Sequence, residues 1–171
     1  GNIAMTVFNN GHSGVMLDME MGTGKTMTAM AIVGHLQKAK RVLVICPKIS
    51  LGVWDREYQK FANYDYILCP LNGTAKKRLQ LMQELMDNEK YHEKSIVVIN
   101  YEYVYTFEKI LAKWRPDIII CDESHKIKSP TAQQTKSILR LGNLASYKIC
   151  LTGTPLTNNI LDFFSQYKFL D

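Results

Sequence analysis

Along the chain, short continuous apolar runs alternate with longer stretches in which apolar residues recur every three or four positions. The runs Val15–Asp18, Val42–Cys46, Tyr66–Leu68, Ile96–Ile99, Ile118–Cys121 and Lys148–Leu151 are mostly rich in Ile and Val. That is the pattern of strands buried on both faces. The amphipathic stretches predict helices. Lys25–Gln37 sets Ala29, Ile32, Val33 and Leu36 on one side, Leu51–Phe61 sets Trp54, Tyr58 and Phe61, and Ala75–Asp87 sets Leu79, Met82, Leu85 and Met86. Ser129-Pro130 has the form of an N-cap followed by proline in the first helical position, predicting a helix to about Leu141. Strand alternating with helix predicts right-handed crossovers. The fold class is α/β: three layers, with a mostly parallel sheet and helices on both faces.

The length of 171 residues corresponds to one domain and suffices for a real core. No apolar run is long enough to span a bilayer and the start carries no signal-peptide pattern, so no membrane partner is expected. Cys46, Cys69, Cys121 and Cys150 form no C-x-x-C pair. Three of them close strand-like runs and read as reduced core residues of a cytosolic or nuclear compartment. Met27, Met30, Met82 and Met86 fall at helical spacing and read as core packing. The net charge of +5 is a mild lean toward polyanionic partners. The short basic clusters (Lys38, Lys40 and Arg41; Lys76, Lys77 and Arg78; Lys126 and Lys128) read as solvated helix faces.

Chemistry first enters at Val15-Met-Leu-Asp-Met-Glu-Met-Gly-Thr-Gly-Lys-Thr26, a strand followed by a glycine-rich loop and then a helix. Gly22 and Gly24 can turn successive N–H groups inward around a phosphate. The helix beginning near Lys25 adds its positive end. Lys25 supplies a mobile charge for β- and γ-phosphates, and the Thr26 hydroxyl suits Mg²⁺. Met21, Gly22, Thr23, Gly24, Lys25, Thr26 and Met27 are therefore the candidate nucleotide-binding residues. Met19 stands where the general phosphate-loop pattern has its first glycine.

The second signal is Arg115-Pro-Asp-Ile-Ile-Ile-Cys-Asp-Glu-Ser-His125, an apolar strand ending in two carboxylates. In open parallel sheets ligands sit beyond the carboxyl ends of strands, so both motifs should face one crevice. Asp122 would hold Mg²⁺, and Glu123 would orient the attacking water or accept its proton.

With both motifs in view, the chain resembles the Swi/Snf-type branch of superfamily-two helicases, a DExH-box family. Asp18-Met-Glu-Met-Gly-Thr-Gly-Lys-Thr26 is similar to its motif I, Asp122-Glu-Ser-His125 to motif II, and Leu151-Thr-Gly-Thr-Pro155 to motif III. Val44-Ile-Cys-Pro-Lys-Ile-Ser50 is similar to motif Ia and Val98-Ile-Asn-Tyr-Glu102 to motif Ib. That branch commonly replaces the first phosphate-loop glycine, so Met19 fits it. The resemblance implies the first of two RecA-like lobes of a DNA-dependent ATPase. ATP and Mg²⁺ would be its cofactors and duplex DNA its track. Lys25, Asp122 and Glu123 would carry catalysis, with Thr26 and Asp122 on the metal. His125, Thr152, Gly153 and Thr154 would couple the nucleotide to the DNA grip. Lys48, Ser50 and Asn100 are the candidate phosphate-backbone contacts, which would give salt-dependent binding with little sequence preference.

The resemblance also sets expectations about what the chain lacks. The family's glutamine motif upstream of motif I has no counterpart here. Ile3–Asn10 would be the back half of the helix after it, and adenine selectivity is left open. The whole of 1–171 is expected to be an ATP-binding lobe excised from a longer two-lobe protein, monomeric and nearly inactive in ATP hydrolysis without its second lobe. The short spacers between motifs favour a bacterial or phage-type cytoplasmic motor. A P-loop kinase or metabolic ATPase, and a non-catalytic nucleotide-binding module, are the alternative readings.

Overall fold

The computed structural model describes residues 8–19, 24–61, 66–88, 94–153 and 160–171. Six strands form one sheet: β1 (Gly14–Asp18), β2 (Arg41–Cys46), β3 (Ile67–Pro70), β4 (Ser95–Asn100), β5 (Ile118–Asp122) and β6 (Tyr147–Thr152). Six helices are described with them: α1 (Lys25–His35), α2 (Leu51–Phe61), α3 (Ala75–Asp87), α4 (Tyr101–Trp114), α5 (Gln133–Gly142) and α6 (Ile160–Leu170). The sheet order is β1-β6-β5-β2-β4-β3, and every described pairing is parallel.

The side-chain period of two divides each strand between two cores. Val42, Val44 and Cys46 of β2 join Ile32 and Val33 of α1 and Trp54 of α2 on one face. Leu43 and Ile45 join Met82 of α3, Leu111 of α4, Ile138 of α5 and Phe169 of α6 on the other. Each fully buried aliphatic side chain contributes about 1.5–3 kcal/mol, and both faces of the central strands are covered in this way. This is why β2 and β5 read as unbroken apolar runs rather than alternating ones.

All six strands foreseen from the sequence are present, each within two residues of its expected ends. Pro70 closes β3, which lies at the sheet edge, where a missing N–H is tolerated. The helix expected to open at Ser129-Pro130 instead begins at Gln133, after Ala132 in an extended conformation. The Ser129 hydroxyl lies 2.9 Å from that of Thr131 and caps no helix. Helices α4 and α6 were not foreseen. The buried side of α4 carries Tyr101, Val104, Phe107, Leu111 and Trp114, a helical stripe in a segment otherwise rich in β-formers.

The packing also corrects three individual readings. Leu79 is 41% exposed and Met27 48% exposed, so neither is a core residue. The buried side of α3 is instead Arg78, Met82 and Leu85. Arg78, read as part of a solvated basic face, is 2% exposed. At the far edge of the sheet Gly14 allows α6 close against β1. A Cβ on Gly14 would lie 2.2 Å from the Leu170 carbonyl oxygen. The expected helical segment Ile3–Asn10 falls mostly outside the described residues, of which Phe8 and Asn9 are helical.

Candidate functional site

The carboxyl ends of the strands make one edge of the sheet, and the candidate chemistry collects there. Asp18 at the end of β1 is in register with Thr152 of β6, and the Met19 N–H donates to the Thr152 carbonyl at 2.9 Å. Asp122 at the end of β5 is in register with Leu151. Since β6 lies between β1 and β5, Thr152 and Gly153 stand between the strand that feeds the phosphate loop and the strand that carries the acids. Met21, Gly22, Thr23 and Thr154 lie outside the described residues.

Gly24 takes φ +79° as the residue before α1, a left-handed conformation that glycine adopts without a Cβ penalty. Among the described residues no side chain caps this helix start, so its first N–H groups face outward with the positive end of the helix dipole. Lys25 and Thr26 are the first two residues of α1 and are half-buried. Met27 follows them, exposed on the outer surface.

Lys25 reaches across the sheet edge to the acidic strand. Its Nζ lies 2.5 Å from Glu123 Oε1, with the two side chains 12% and 24% exposed. Glu123 has φ +51°, one of two non-glycine residues with positive φ among those described. A non-glycine residue there costs roughly 1–2 kcal/mol. The surrounding contacts outweigh that cost and turn the chain sharply just after β5. His125 follows in a 3₁₀ turn, Ser124–Lys126. Its Nδ1 lies 3.3 Å from Glu123 Oε2, within ion-pair distance but without hydrogen-bond geometry.

Asp122 is 7% exposed. Burial pushes its carboxyl above the usual aspartate range, a hydrogen bond from Trp54 and the charge of Lys25 pull it back, and the neighbouring Glu123 charge opposes them. The indole Nε1 of Trp54 donates to Asp122 Oδ2 at 3.0 Å. The Tyr101 hydroxyl donates to the Asp122 main-chain carbonyl at 2.7 Å. Below the turn, the buried Ser124 hydroxyl donates to Gln166 Oε1 at 2.6 Å, tying α6 to the acidic segment. None of Trp54, Tyr101 and Gln166 was singled out for the site from sequence. The signal for Trp54 was available: a fully buried indole needs a partner for its N–H.

The donor set fits Mg²⁺. Thr26 and Asp122 offer hard oxygen ligands at the same sheet edge, and among the described residues no group of three or more His, Cys, Asp or Glu could hold a metal alone. Mg²⁺ keeps water and phosphate oxygens in its shell and takes only one or two protein ligands, so an incomplete protein cage is what its chemistry asks for.

The three candidate nucleic-acid residues divide. Lys48 is exposed and Ser50 half-buried in a 3₁₀ turn, Lys48–Ser50, directly after β2. Asn100 does not take the placement expected of a phosphate contact. It is 1% exposed, its Oδ1 accepts from Arg78 Nη1 at 2.6 Å, and its Nδ2 donates to Glu102 Oε2 at 2.6 Å. Both ends of the amide are spent inside the protein. Arg78 also donates to the carbonyls of Leu71 at 2.5 Å and Gly73 at 2.8 Å, and its guanidinium sits 3.8 Å from the centre of the Tyr103 ring. The buried cation thus braces the ends of β3 and β4 and the start of α4.

Residues 3–171 match the family model of the SNF2-related domain. The chain is 29% identical over 179 residues to a "Probable chromatin-remodeling complex ATPase chain" of Oryza sativa, covering 99% of this chain and 15% of that protein. It is 31% identical over 170 residues to the "ATP-dependent helicase brm" of Drosophila melanogaster, covering 97% of this chain and 10% of that protein. The chain thus spans a small fraction of the length of the curated relatives it matches. Among solved structures, the Sulfolobus solfataricus SWI2/SNF2 ATPase core in complex with dsDNA shares the fold, with a TM-score of 0.74 at 24% identity over 99% of this chain and 34% of that one. The RecA-like architecture expected from the motifs is therefore present.

One expectation is overturned. The reading of a bacterial or phage-type cytoplasmic motor rested on short spacers between motifs. Yet plant and animal proteins, the "Probable chromatin-remodeling complex ATPase chain" of Oryza sativa among them, align over 92–99% of this chain. Relatives of plants and animals that align along nearly all of this chain show that short spacers carry no information about the compartment. The motif order, the strand order and the match across residues 3–171 converge on one assignment: the chain belongs to the SNF2-related domain family.

Proposed function

We propose that this chain is the nucleotide-binding lobe of an ATP-dependent motor that moves on duplex DNA. The observation that carries the proposal is the meeting of Lys25 and Glu123 beside Asp122, which supports one phosphate-handling crevice at the carboxyl edge of the sheet.

In this reading Gly22, Gly24 and the start of α1 cradle the ATP phosphates, and Lys25 neutralises their charge. Thr26 and Asp122 would hold Mg²⁺, which when bound would draw charge from the phosphate oxygens. Glu123 orients the attacking water and accepts its proton. The pairing with Lys25 holds that carboxylate at the crevice edge. His125, beside Glu123, and Thr152, Gly153 and Thr154 carry the state of the crevice toward the DNA-facing turns. Lys48 and Ser50 contact the phosphate backbone, a contact that positions without reading sequence. A second RecA-like lobe of the same polypeptide supplies the opposing wall and an arginine finger, worth roughly 10³–10⁵ in rate. The working unit is a monomer. The Sulfolobus solfataricus structural neighbour is a complex with dsDNA, which supports duplex over single strand.

The test is ATP turnover by the full-length protein with no nucleic acid, single-stranded DNA, duplex DNA and RNA, with residues 1–171 alone as control. Stimulation by duplex DNA, with the control nearly inert, is the expected result. Turnover indifferent to every nucleic acid would remove the motor and leave a metabolic ATPase or kinase.

A further inference from the structure

Asp122 is held by two aromatic donors that come from opposite faces of the sheet edge. Trp54 takes a carboxylate oxygen, and Tyr101 takes the main-chain carbonyl of the same residue. Both side chains are buried, at 0% and 2% exposure. Their places in the chain give the contacts their meaning. Trp54 lies in the first turn of α2, which continues directly from the Lys48–Ser50 turn. Tyr101 is the first residue of α4, directly after Asn100 and the Arg78 brace. The helix after the exposed Lys48 and the helix after the buried Asn100 therefore each send a donor to the same aspartate.

We infer that Trp54 and Tyr101 are positioning residues that fix Asp122 for metal binding, and that Trp54 transmits engagement at the Lys48–Ser50 turn to it. This inference rests on the function proposed above. The chemistry is specific. An ionised carboxylate has about four acceptor sites, so one indole N–H restrains its rotation and leaves capacity for a cation. The indole bond adds no charge that would compete with Mg²⁺. Tyr101 fixes the main chain at the same residue, so a shift at either helix start is felt at the carboxylate. Hydrogen-bond partners of metal ligands typically contribute about 10–100-fold in metal affinity or activity.

The experiment uses the full-length protein with Trp54→Phe and Tyr101→Phe, each of which keeps an aromatic ring and removes the donor. Trp114→Phe serves as control, since Trp114 is also buried but lies at the far end of α4. Mn²⁺ binding to the ADP complex is read by electron paramagnetic resonance, and ATP turnover is read with and without duplex DNA. Trp54→Phe should weaken Mn²⁺ binding about 10-fold or more. Tyr101→Phe, which loses only a hydroxyl, should shift it in the same direction. Trp54→Phe should also lower the ratio of stimulated to unstimulated turnover, and Trp114→Phe should leave Mn²⁺ binding and that ratio alone. Unchanged Mn²⁺ binding in both variants, or an equal shift in Trp114→Phe, would overturn the inference. If the unaltered protein shows no stimulation by DNA, the motor reading fails on its own account, and the Mn²⁺ arm still decides whether the two aromatics position Asp122.

Discussion

The Lys25 ammonium and the Glu123 carboxylate, 98 positions apart in the chain, meet at 2.5 Å across the edge of the sheet. The cation suited to phosphate and the base suited to water neutralise each other. In the proposed function a phosphate-bearing ligand would have to compete with Glu123 for Lys25, and winning that competition would free Glu123 to act. Binding and activation of the base would thereby be linked through a single contact.

Glu123→Gln separates the two roles. It should lower ATP turnover of the full-length protein by about 10²–10⁴, the usual worth of a positioned acid or base. It should also tighten ATP binding, since Lys25 no longer has an ionised rival. A partly buried charge-assisted bond contributes about 1–2 kcal/mol net, allowing for solvent screening, so a gain of roughly five- to thirtyfold in affinity is expected. Fluorescent-nucleotide titration beside steady-state turnover reads both. Unaltered turnover would take the base role from Glu123.

Lys48→Ala should weaken duplex binding to about the same degree for every sequence and flatten its salt dependence by about one unit of log–log slope, as expected for one phosphate contact. Titrations at several salt concentrations measure this. An unchanged slope would place the DNA path elsewhere. Asn100, by contrast, should affect DNA binding only through the stability of its segment.

Arg78 was the residue least legible in advance. Replacing it with Met keeps length and removes every donor, orphaning the Asn100 amide oxygen and the carbonyls of Leu71 and Gly73. A loss of about 3 kcal/mol is expected from breaking a buried charged network. In a domain of this size that corresponds to roughly 6–12 °C in melting temperature. Arg78→Lys should recover little, because an ammonium cannot reproduce the planar fork.

Glu108 binds α4 to α5. Its Oε1 accepts from Arg140 Nε at 2.5 Å and its Oε2 from the Ser137 hydroxyl at 2.7 Å. The Arg140 hydrogen bond holds its carboxyl below the usual glutamate range, with burial opposing and Ser137 and the Arg140 charge assisting. A depressed folded-state pKa gives stability that is present above the unfolded value, near 4.3, and is lost as pH falls through the folded one. Glu108→Gln should therefore be less stable than the unaltered protein at neutral pH and converge with it in acid. Thermal melts at neutral and acidic pH would show whether the gap closes in this way.

Much of the fold was legible because its strands are buried on both faces. Continuous runs such as Val42–Cys46 and Ile118–Cys121 admit few other readings. The phosphate loop and the acidic pair were legible because their spacing is dictated by phosphate chemistry. Long-range pairing was not. Nothing local in Ala75–Asp87 distinguishes Arg78 from Lys77, because its burial depends on Asn100 and Tyr103, more than 20 positions away. The same holds for Trp54, which reads as one apolar position in a stripe until Asp122 is brought beside it. Helix α4 was passed over because its aromatic and β-branched residues favour strand locally, and packing against α5 decides the matter.

The four cysteines have a practical consequence. Cys46, Cys121 and Cys150 are buried and Cys69 half-buried. Burial pushes their thiols up, Cys69 to about 11 and Cys150 to about 12, with Cys46 and Cys121 raised in the same sense. Since the thiolate is the reactive form, all four should be nearly inert to alkylating dyes at neutral pH. A new cysteine at exposed Tyr105 would then label ahead of them, and the lobe offers a quiet background for attaching a fluorophore or spin probe at a single chosen place.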